Sequence, residues 1–249
     1  MLSGQCYEAE VGKSLMKDLR LHLTEAHVAR VHRVLPDPGV PVGQPLHDDA
    51  DYAAWLARIL AAHPAPGALT WLFAYGSLIW KPGVVHVAEQ PGVAHGWHRR
   101  FCITMPRFRG TPESPGLMMA LDRGGQCAGM LFALPWQGLS AQLDALFRRE
   151  FTFKPANSMP RWIRVQTPQG PVVALSFVMN RASPMYAGAL PLKVVADRLA
   201  HACGHWGSGA EYLRNTVMHL EARGVHDRNL WRLQRLVAAR IDAMAEPAP

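Results

Sequence analysis

The stretch TWLFAYGSLIW, residues 70–80, is the most informative part of this 249-residue sequence. Its first five residues, TWLFA, are largely apolar and predict a short buried β-strand. The strand leads into Tyr75, Gly76 and Ser77, where a glycine followed by a serine indicates a tight turn. Backbone N–H groups that converge in such a turn can hold a carboxylate or a developing oxyanion. An ordinary turn has the same pattern, so both interpretations stay open.

The region that follows contains further predicted strands, which are short apolar or alternating runs separated by glycine and proline. Two pairs of runs predict β-hairpins, one turning at Gly124 and Gly125 and the other at Pro168 to Gly170. One helix, at about Ser140 to Phe151, interrupts this β-region. Because the strands do not alternate with helices, we expect an α+β domain with a closed or strongly curved sheet.

Helical patterns flank the β-region on both sides. Before it, residues 14–33 and 49–63 have near-helical apolar spacing, and Asp49 is the predicted cap of the second helix. We therefore predict that residues 1–66 form a helical N-terminal extension and that residues 67–249 form the main domain. Three more helices are predicted after the β-region, at residues 192–203, 209–223 and 227–244.

The composition limits the class of protein. Apolar residues make up 49% of the chain and charged residues 18%, which allows a substantial buried core. The apolar runs are too short to span a bilayer and the N-terminus lacks the apolar core of a secretory signal, so we expect a cytosolic protein. The net charge of +7 favours anionic partners, including nucleic acid, an anionic membrane surface and small acidic metabolites. No Cys-x-x-Cys pair occurs, and we expect reduced, mostly buried thiols at Cys6, Cys102, Cys127 and Cys203.

Glu150 is the residue whose position is hardest to explain by folding alone. Glu150 follows Leu143, Leu146 and Phe147 at helical spacing, which predicts that its side chain shares the apolar face of the helix. Burial raises the pKa of a carboxyl group above about 4.3 and brings it closer to the range of a general acid or base. A structural ion pair with an arginine, or fraying of the helix end into solvent, explains the same position without a catalytic role.

A basic stretch laced with aromatic residues also suggests binding. Its arginines can grip substrate carboxylates, contact a single-stranded nucleic acid, or simply protect a strand edge. The four arginines are Arg99, Arg100, Arg107 and Arg109.

Other familiar site patterns are absent or weak. His201 and His205 have a spacing that suits a metal, but nearby glycines are expected to end their helix, so we interpret both histidines as structural. The sequence has no G-x-S-x-G elbow, no G-x-x-x-x-G-K-[ST] phosphate loop and no H-E-x-x-H motif. These absences count against a serine hydrolase, a P-loop protein and a zinc protease of those types.

Several motifs, in order along the chain, resemble those of ChaC-like gamma-glutamylcyclotransferases. They are WLFAYGSLIWKPG, HGWHRRFCI, RGTPESPGLMMAL, LFRRE, PRWIRV and EYLRNTVMHLEARGVHDRNLWRL. The resemblance covers about residues 67–243 and implies a small mixed β-barrel of the gamma-glutamylcyclotransferase type with flanking helices. It also implies that no metal and no cofactor takes part.

The resemblance further implies which residues form the site. Glu150 matches the single catalytic glutamate of the family. The residues implied to bind substrate are the loop Ala74, Tyr75, Gly76, Ser77, Leu78 and Ile79, together with Arg109 and Tyr212.

The activity implied by the resemblance is the cleavage of glutathione to 5-oxoproline and cysteinylglycine. The α-amine of the substrate attacks its own γ-carbonyl, and Glu150 moves the proton from the amine to the departing nitrogen. We expect a small-molecule partner, with no nucleic acid and no membrane. Two alternatives stay open: the same cyclisation of another gamma-glutamyl amide, and a non-catalytic protein that binds an anionic ligand or nucleic acid.

Overall fold

A computed structural model of the protein describes residues 21–41 and 43–244. These residues divide into two compact units. The first unit takes its described residues from 1–37, 104–118 and 189–249, and the second from 38–103 and 119–188. The predicted boundary between a helical extension, residues 1–66, and a main domain, residues 67–249, stays a prediction.

The sheet is a closed barrel, which confirms the expectation of a closed or strongly curved sheet in an α+β fold. The order of its strands is β1-β3-β2-β4-β5, and β5 returns to pair with both β1 and β3. Closure leaves no long open edge for unwanted pairing. The strands are β1 (Thr70–Ala74), β2 (Ala88–Met105), β3 (Gly116–Leu134), β4 (Ser158–Thr167) and β5 (Gly170–Met179).

The register of the barrel explains how the strand at the start of residues 70–80 is buried. Strand β1 pairs antiparallel with β3, with Ala74 opposite Met130, and parallel with β5, with Leu72 opposite Leu175. A strand that has a neighbour on each side and both faces buried has a nearly continuous run of apolar residues in its sequence. The barrel core includes Phe73, Ala94, Leu121, Cys127, Leu131, Ile163, Val165, Ala174 and Val178.

One predicted hairpin is confirmed and the other is wrong. Strands β4 and β5 form the hairpin predicted near Pro168, and Thr167 pairs with Gly170 across its turn. No turn occurs at Gly124 and Gly125, because β3 runs through both residues as one long strand. Both glycines have positive φ, 110° and 65°, so they accommodate a local distortion of the strand without reversing it.

The α-helices of the described residues agree with most of the predicted ones. Asp48, rather than the predicted Asp49, caps α2, because its carboxylate accepts a hydrogen bond from the Asp51 N–H at 2.9 Å. The helix predicted at residues 14–33 is shorter in its described part, where Thr24 caps a seven-residue helix, and its beginning lies outside the described residues. The helices are α1 (Glu25–Val31), α2 (Asp49–Ala61), α3 (Leu139–Glu150), α4 (Leu192–His201), α5 (Gly209–Ala222) and α6 (Arg228–Asp242).

The two units use these helices differently. In the first unit, α4, α5 and α6 pack on one another around buried Leu199, Leu213 and Val237. A small hairpin of β6 (Cys203–Gly204) and β7 (Gly207–Ser208) precedes α5. In the second unit, α2 packs against α3 beside the barrel.

Two smaller expectations concern thiols and membranes. Cys102, Cys127 and Cys203 are free and buried, as predicted, whereas Cys6 lies outside the described residues. Across residues 21–41 and 43–244, we find no helix with the length and apolar character needed to cross a membrane.

Candidate active site

The loop that follows β1 is built from the predicted substrate-binding residues. Ala74 ends the strand and is fully buried, and a short 3₁₀-helix at Ser77–Ile79 follows Gly76. Leu78 and Ile79 are buried, which anchors the loop to the second unit. The turn predicted from the glycine and serine is therefore present, and its apolar residues fix it in place.

Arg99 ties this loop to the barrel wall. Its Nε donates a hydrogen bond to the Tyr75 carbonyl oxygen at 2.6 Å, and its Nη2 donates to the Ala128 carbonyl oxygen. The interpretation of Arg99 as an exposed arginine that contacts nucleic acid is not supported by this placement. The alternation of Trp97, Arg99 and Phe101 along β2 was the available signal that Arg99 shares a face with apolar residues.

Glu150 is the last residue of α3, as predicted, and its side chain is 20% exposed. Leu143, Leu146 and Phe147 on the same helix are buried, which confirms the predicted apolar face. Burial raises the pKa of the Glu150 carboxyl group, and the neighbouring Arg149 guanidinium offsets part of that rise. A half-buried carboxylate with a raised pKa can exchange protons nearer to neutral pH than an exposed one.

Arg149 connects Glu150 to the loop after β1. Its Nε lies 3.3 Å from the Glu150 Oε1, and its Nη1 donates a hydrogen bond of 2.6 Å to the Lys81 carbonyl oxygen. The Lys81 N–H in turn donates to the Ser77 carbonyl oxygen at 2.9 Å. The ion pair considered as a structural explanation of Glu150 thus exists, and the same Arg149 guanidinium also binds the chain that follows the loop.

Arg109 and Tyr212, the other two predicted residues, lie together in the first unit. The Arg109 guanidinium sits over the Tyr212 ring, 5.1 Å from its centroid. Its Nη1 donates to the Glu211 Oε2 and to the Ser208 carbonyl oxygen, both at 3.0 Å. Tyr212 is 5% exposed. The structure therefore brings the predicted residues together as two groups, one in each unit.

A second buried carboxylate, Asp122 on β3, has a different environment. Its oxygens accept hydrogen bonds from Arg181 Nε at 2.7 Å, Tyr186 Oη at 3.0 Å, Arg100 Nη1 at 3.1 Å and the Arg123 N–H at 2.9 Å. Burial alone would raise the pKa of Asp122, but these hydrogen bonds outweigh it and hold the pKa below its usual value. Asp122 is thus a satisfied structural anion.

The described residues offer no alternative metal centre. Among them, no group of three or more His, Cys, Asp and Glu side chains is placed to hold a metal ion. Helix α4 ends at His201, and His201 and His205 pair with Asp197 and Asp37 respectively. The structural interpretation of these two histidines agrees with the fold.

Two named proteins are similar to this chain in sequence. A glutathione-specific gamma-glutamylcyclotransferase of Escherichia coli is 35% identical over 179 residues, which cover 72% of this chain and 76% of that protein. A zebrafish (Danio rerio) protein named glutathione-specific gamma-glutamylcyclotransferase 1 is 28% identical over 180 residues, covering 69% of this chain and 90% of that one.

A solved structure supports the fold independently. The crystal structure of a glutathione-specific gamma-glutamyl cyclotransferase from yeast superimposes with a TM-score of 0.62 at 18% sequence identity. The match covers 70% of this chain and 97% of the yeast chain.

The sequence model of the ChaC-like protein family matches residues 70–240, well over half of the chain. This range contains the loop after β1, Arg99, Glu150, Arg109 and Tyr212. The protein therefore belongs to the ChaC-like protein family.

Proposed function

We propose that this protein is a glutathione-specific gamma-glutamylcyclotransferase that releases 5-oxoproline and cysteinylglycine. The observation that carries the proposal is Glu150, a carboxylate with a raised pKa that is tied through Arg149 to the loop after β1. The relatives from Escherichia coli and zebrafish bear the name of this activity.

The chemistry requires a base at this position. The α-ammonium of glutathione has a reference pKa of about 8, so it first releases one proton to solvent and becomes the neutral amine that attacks; the amine of the released cysteinylglycine takes up one proton from solvent at the end. As the nitrogen bonds to the γ-carbonyl carbon, it gives up a second proton to Glu150, and Glu150 passes that proton to the departing cysteinyl nitrogen. The C–N bond to cysteine then breaks without water. Proton transfer by one positioned carboxylate typically contributes roughly 10²- to 10⁴-fold in rate.

The loop supplies the second requirement. Closing a five-membered ring needs the glutamyl arm to be bent, and holding it in that shape turns attack into an intramolecular step with effective molarities up to roughly 10⁵ to 10⁸ M. In the proposal, residues Ala74 to Ile79 hold the gamma-glutamyl group, and the backbone N–H groups of Gly76 and Ser77 face the developing oxyanion. Arg109 and Tyr212 are proposed to contribute to substrate binding.

Domain organisation and location follow the same proposal. We assign residues 67–249 to the catalytic domain and residues 1–66 to an extension, which the start of the family match at residue 70 supports. We place the reaction in the cytosol, where reduced glutathione and free thiols occur together. A nucleic-acid role has little support, because Arg99, Arg100 and Arg107 are engaged with acceptors of the protein itself.

The test is direct incubation of purified protein with reduced glutathione, followed by mass spectrometry of 5-oxoproline and cysteinylglycine. Equimolar appearance of both products supports the proposal. A gamma-glutamyl dipeptide without cysteine, supplied in parallel, tests the alternative of a broader cyclotransferase. Turnover of the dipeptide at the same kcat/KM as glutathione would contradict glutathione specificity. No product from either substrate would contradict the proposed cyclotransferase activity.

A further inference from the structure

Residues 44–61 lie outside the stretch that matches the family, yet they contact the chain on both sides of Glu150. The segment comprises the end of a loop and helix α2, and it belongs to the same compact unit as α3. We call it the brace. We infer that the brace, through Tyr52, is a positioning element for Glu150; this inference rests on the proposed function.

Backbone pairing fixes the chain that leaves α3. The His47 N–H donates to the Thr152 carbonyl oxygen at 2.9 Å, and the Lys154 N–H donates to the Pro45 carbonyl oxygen at 2.9 Å. Leu46 and Phe153 form an isolated antiparallel bridge between these two bonds. The chain at residues 152–154, which begins two residues beyond Glu150, is therefore hydrogen-bonded to the brace.

Tyr52 holds the residue immediately after Glu150. Its hydroxyl donates a buried hydrogen bond of 3.0 Å to the Phe151 carbonyl oxygen. The Phe151 ring, which is 3% exposed, lies 5.8 Å from the Tyr52 ring and 5.7 Å from the Trp55 ring, measured between centroids. A hydrogen bond and two ring contacts thus fix both the backbone and the side chain at the C-cap of α3.

An ion pair holds the residue two positions before Glu150. Arg148 Nη1 lies 2.7 Å from the Asp49 Oδ1, and the Arg148 guanidinium stacks over the Tyr52 ring at 4.6 Å. The brace consequently contacts the C-terminal end of α3 at Arg148 and its cap residue Phe151. Helix ends tend to fray, and a carboxylate on the last residue of a helix cannot hold a precise position unless such contacts suppress fraying.

The distinction from a merely stabilising role lies in the kinetics. A segment that only stabilises the fold changes the fraction of folded protein and leaves the kcat of the folded enzyme unchanged. A positioning element changes kcat at nearly constant KM, because Glu150 acts on the reacting atoms while the loop after β1 binds the substrate. A misplacement of 1 Å can cost roughly 10²-fold in rate.

The test compares Tyr52→Phe with Tyr186→Phe in the full chain. Each substitution removes one hydroxyl that donates a 3.0 Å hydrogen bond, to the Phe151 carbonyl in one case and to the Asp122 carboxylate in the other. Both variants are expected to melt a few degrees lower, about 2–4 °C for the loss of one such bond. Only Tyr52→Phe is expected to lower kcat, by roughly 3- to 30-fold, with KM within about twofold.

A readout without turnover separates this inference from the proposed function. In protein labelled with ¹³C at the glutamate side-chain carboxyl carbons, the resonance that is missing in Glu150→Gln reports the titration of Glu150. Tyr52→Phe should move that titration toward an ordinary glutamate, and Tyr186→Phe should leave it in place. An unchanged titration and unchanged kcat in Tyr52→Phe would overturn the inference, as would equal losses of kcat in both variants. If the wild type showed no turnover and the Glu150 titration shifted only in Tyr52→Phe, the proposed function would be wrong, but the positioning of Glu150 by the brace would be supported.

Discussion

Asp122 and Glu150, two carboxylates of the second unit with little exposure to solvent, show that the same functional group can have two different environments. Asp122 receives four hydrogen bonds, its side chain is fully buried, and its pKa is held low. Glu150 has one ion-pair partner among the described residues, Arg149, and burial raises its pKa. Burial is common to both residues, so the number of donors decides whether a carboxylate stabilises the fold or remains available for proton transfer.

Glu150→Gln should produce the largest effect on activity. Glutamine keeps the shape but cannot accept and return a proton, so turnover of glutathione should fall by at least roughly 10²-fold while the fold is retained. Formation of 5-oxoproline and a far-ultraviolet circular dichroism melt measure the two quantities. Glu89→Gln, on β2 of the same unit, is the control and should keep its activity. A folded, fully active Gln variant would remove Glu150 from the mechanism.

Asp122→Asn should give the largest effect on stability. Removing its charge leaves Arg100 and Arg181 without their anion, and the free energy of unfolding should fall by about 3 kcal/mol. This value is at the lower end for a broken buried ion pair, because both arginines retain contact with solvent. Urea unfolding measures the loss, and kcat per folded molecule should not change. A large loss of kcat with normal stability would mean that Asp122 also takes part in catalysis.

The pH dependence of stability should separate the two residues by sign. The low folded-state pKa of Asp122 stabilises the protein above the unfolded-state value of about 3.9, and this contribution is lost as pH falls through the folded-state pKa. The raised pKa of Glu150 has the opposite consequence. Ionising Glu150 lowers the free energy of unfolding, and this loss begins above pH about 4.3, the unfolded-state pKa, and is complete once pH has risen through the folded-state pKa.

Glu150→Gln should therefore be more stable than the wild type at neutral pH, with the difference vanishing below about pH 4. Melting temperatures of the wild type, Glu150→Gln and Asp122→Asn, measured across pH, provide the check. Equal stability of Glu150→Gln and wild type at neutral pH would show that Glu150 bears no burial penalty.

Arg149→Gln should give the smallest effect. Its positive charge lowers the pKa of Glu150, so its removal should move the acidic limb of the kcat/KM profile to higher pH. The side chain of Arg149 is 37% exposed, and exposed ion pairs contribute about 0–1 kcal/mol, so the move should be less than about one pH unit. A move to lower pH would contradict the assigned role of Arg149.

Sequence reasoning succeeded where a pattern is local. The spacing of Leu143, Leu146 and Phe147 was sufficient to place Glu150 on an apolar helix face, and the apolar run before Tyr75 was sufficient to place β1. It failed at Gly124 and Gly125, because a glycine pair that distorts a strand and one that reverses it have the same local sequence. The neighbours of the chain in space decide between them.

The contacts that distinguish Glu150 from Asp122 could not be predicted in the same way. Arg181 and Tyr186 approach Asp122 from about 60 residues along the chain. Tyr52 approaches Phe151 from 99 residues away. Such pairs depend on barrel closure and helix packing rather than on periodicity, so one sequence without structure does not determine them.

The hydrogen bond from Arg99 to the Tyr75 carbonyl oxygen has a consequence for the next residue. The peptide bond is planar and, among the described residues, the sole cis peptide is Lys154–Pro155. In a trans peptide the C=O and the N–H point in opposite directions, so a guanidinium that holds the Tyr75 oxygen also orients the Gly76 N–H away from the β2 wall. Arg99 thus fixes the orientation of the planar peptide between Tyr75 and Gly76, and the positive guanidinium polarises that peptide.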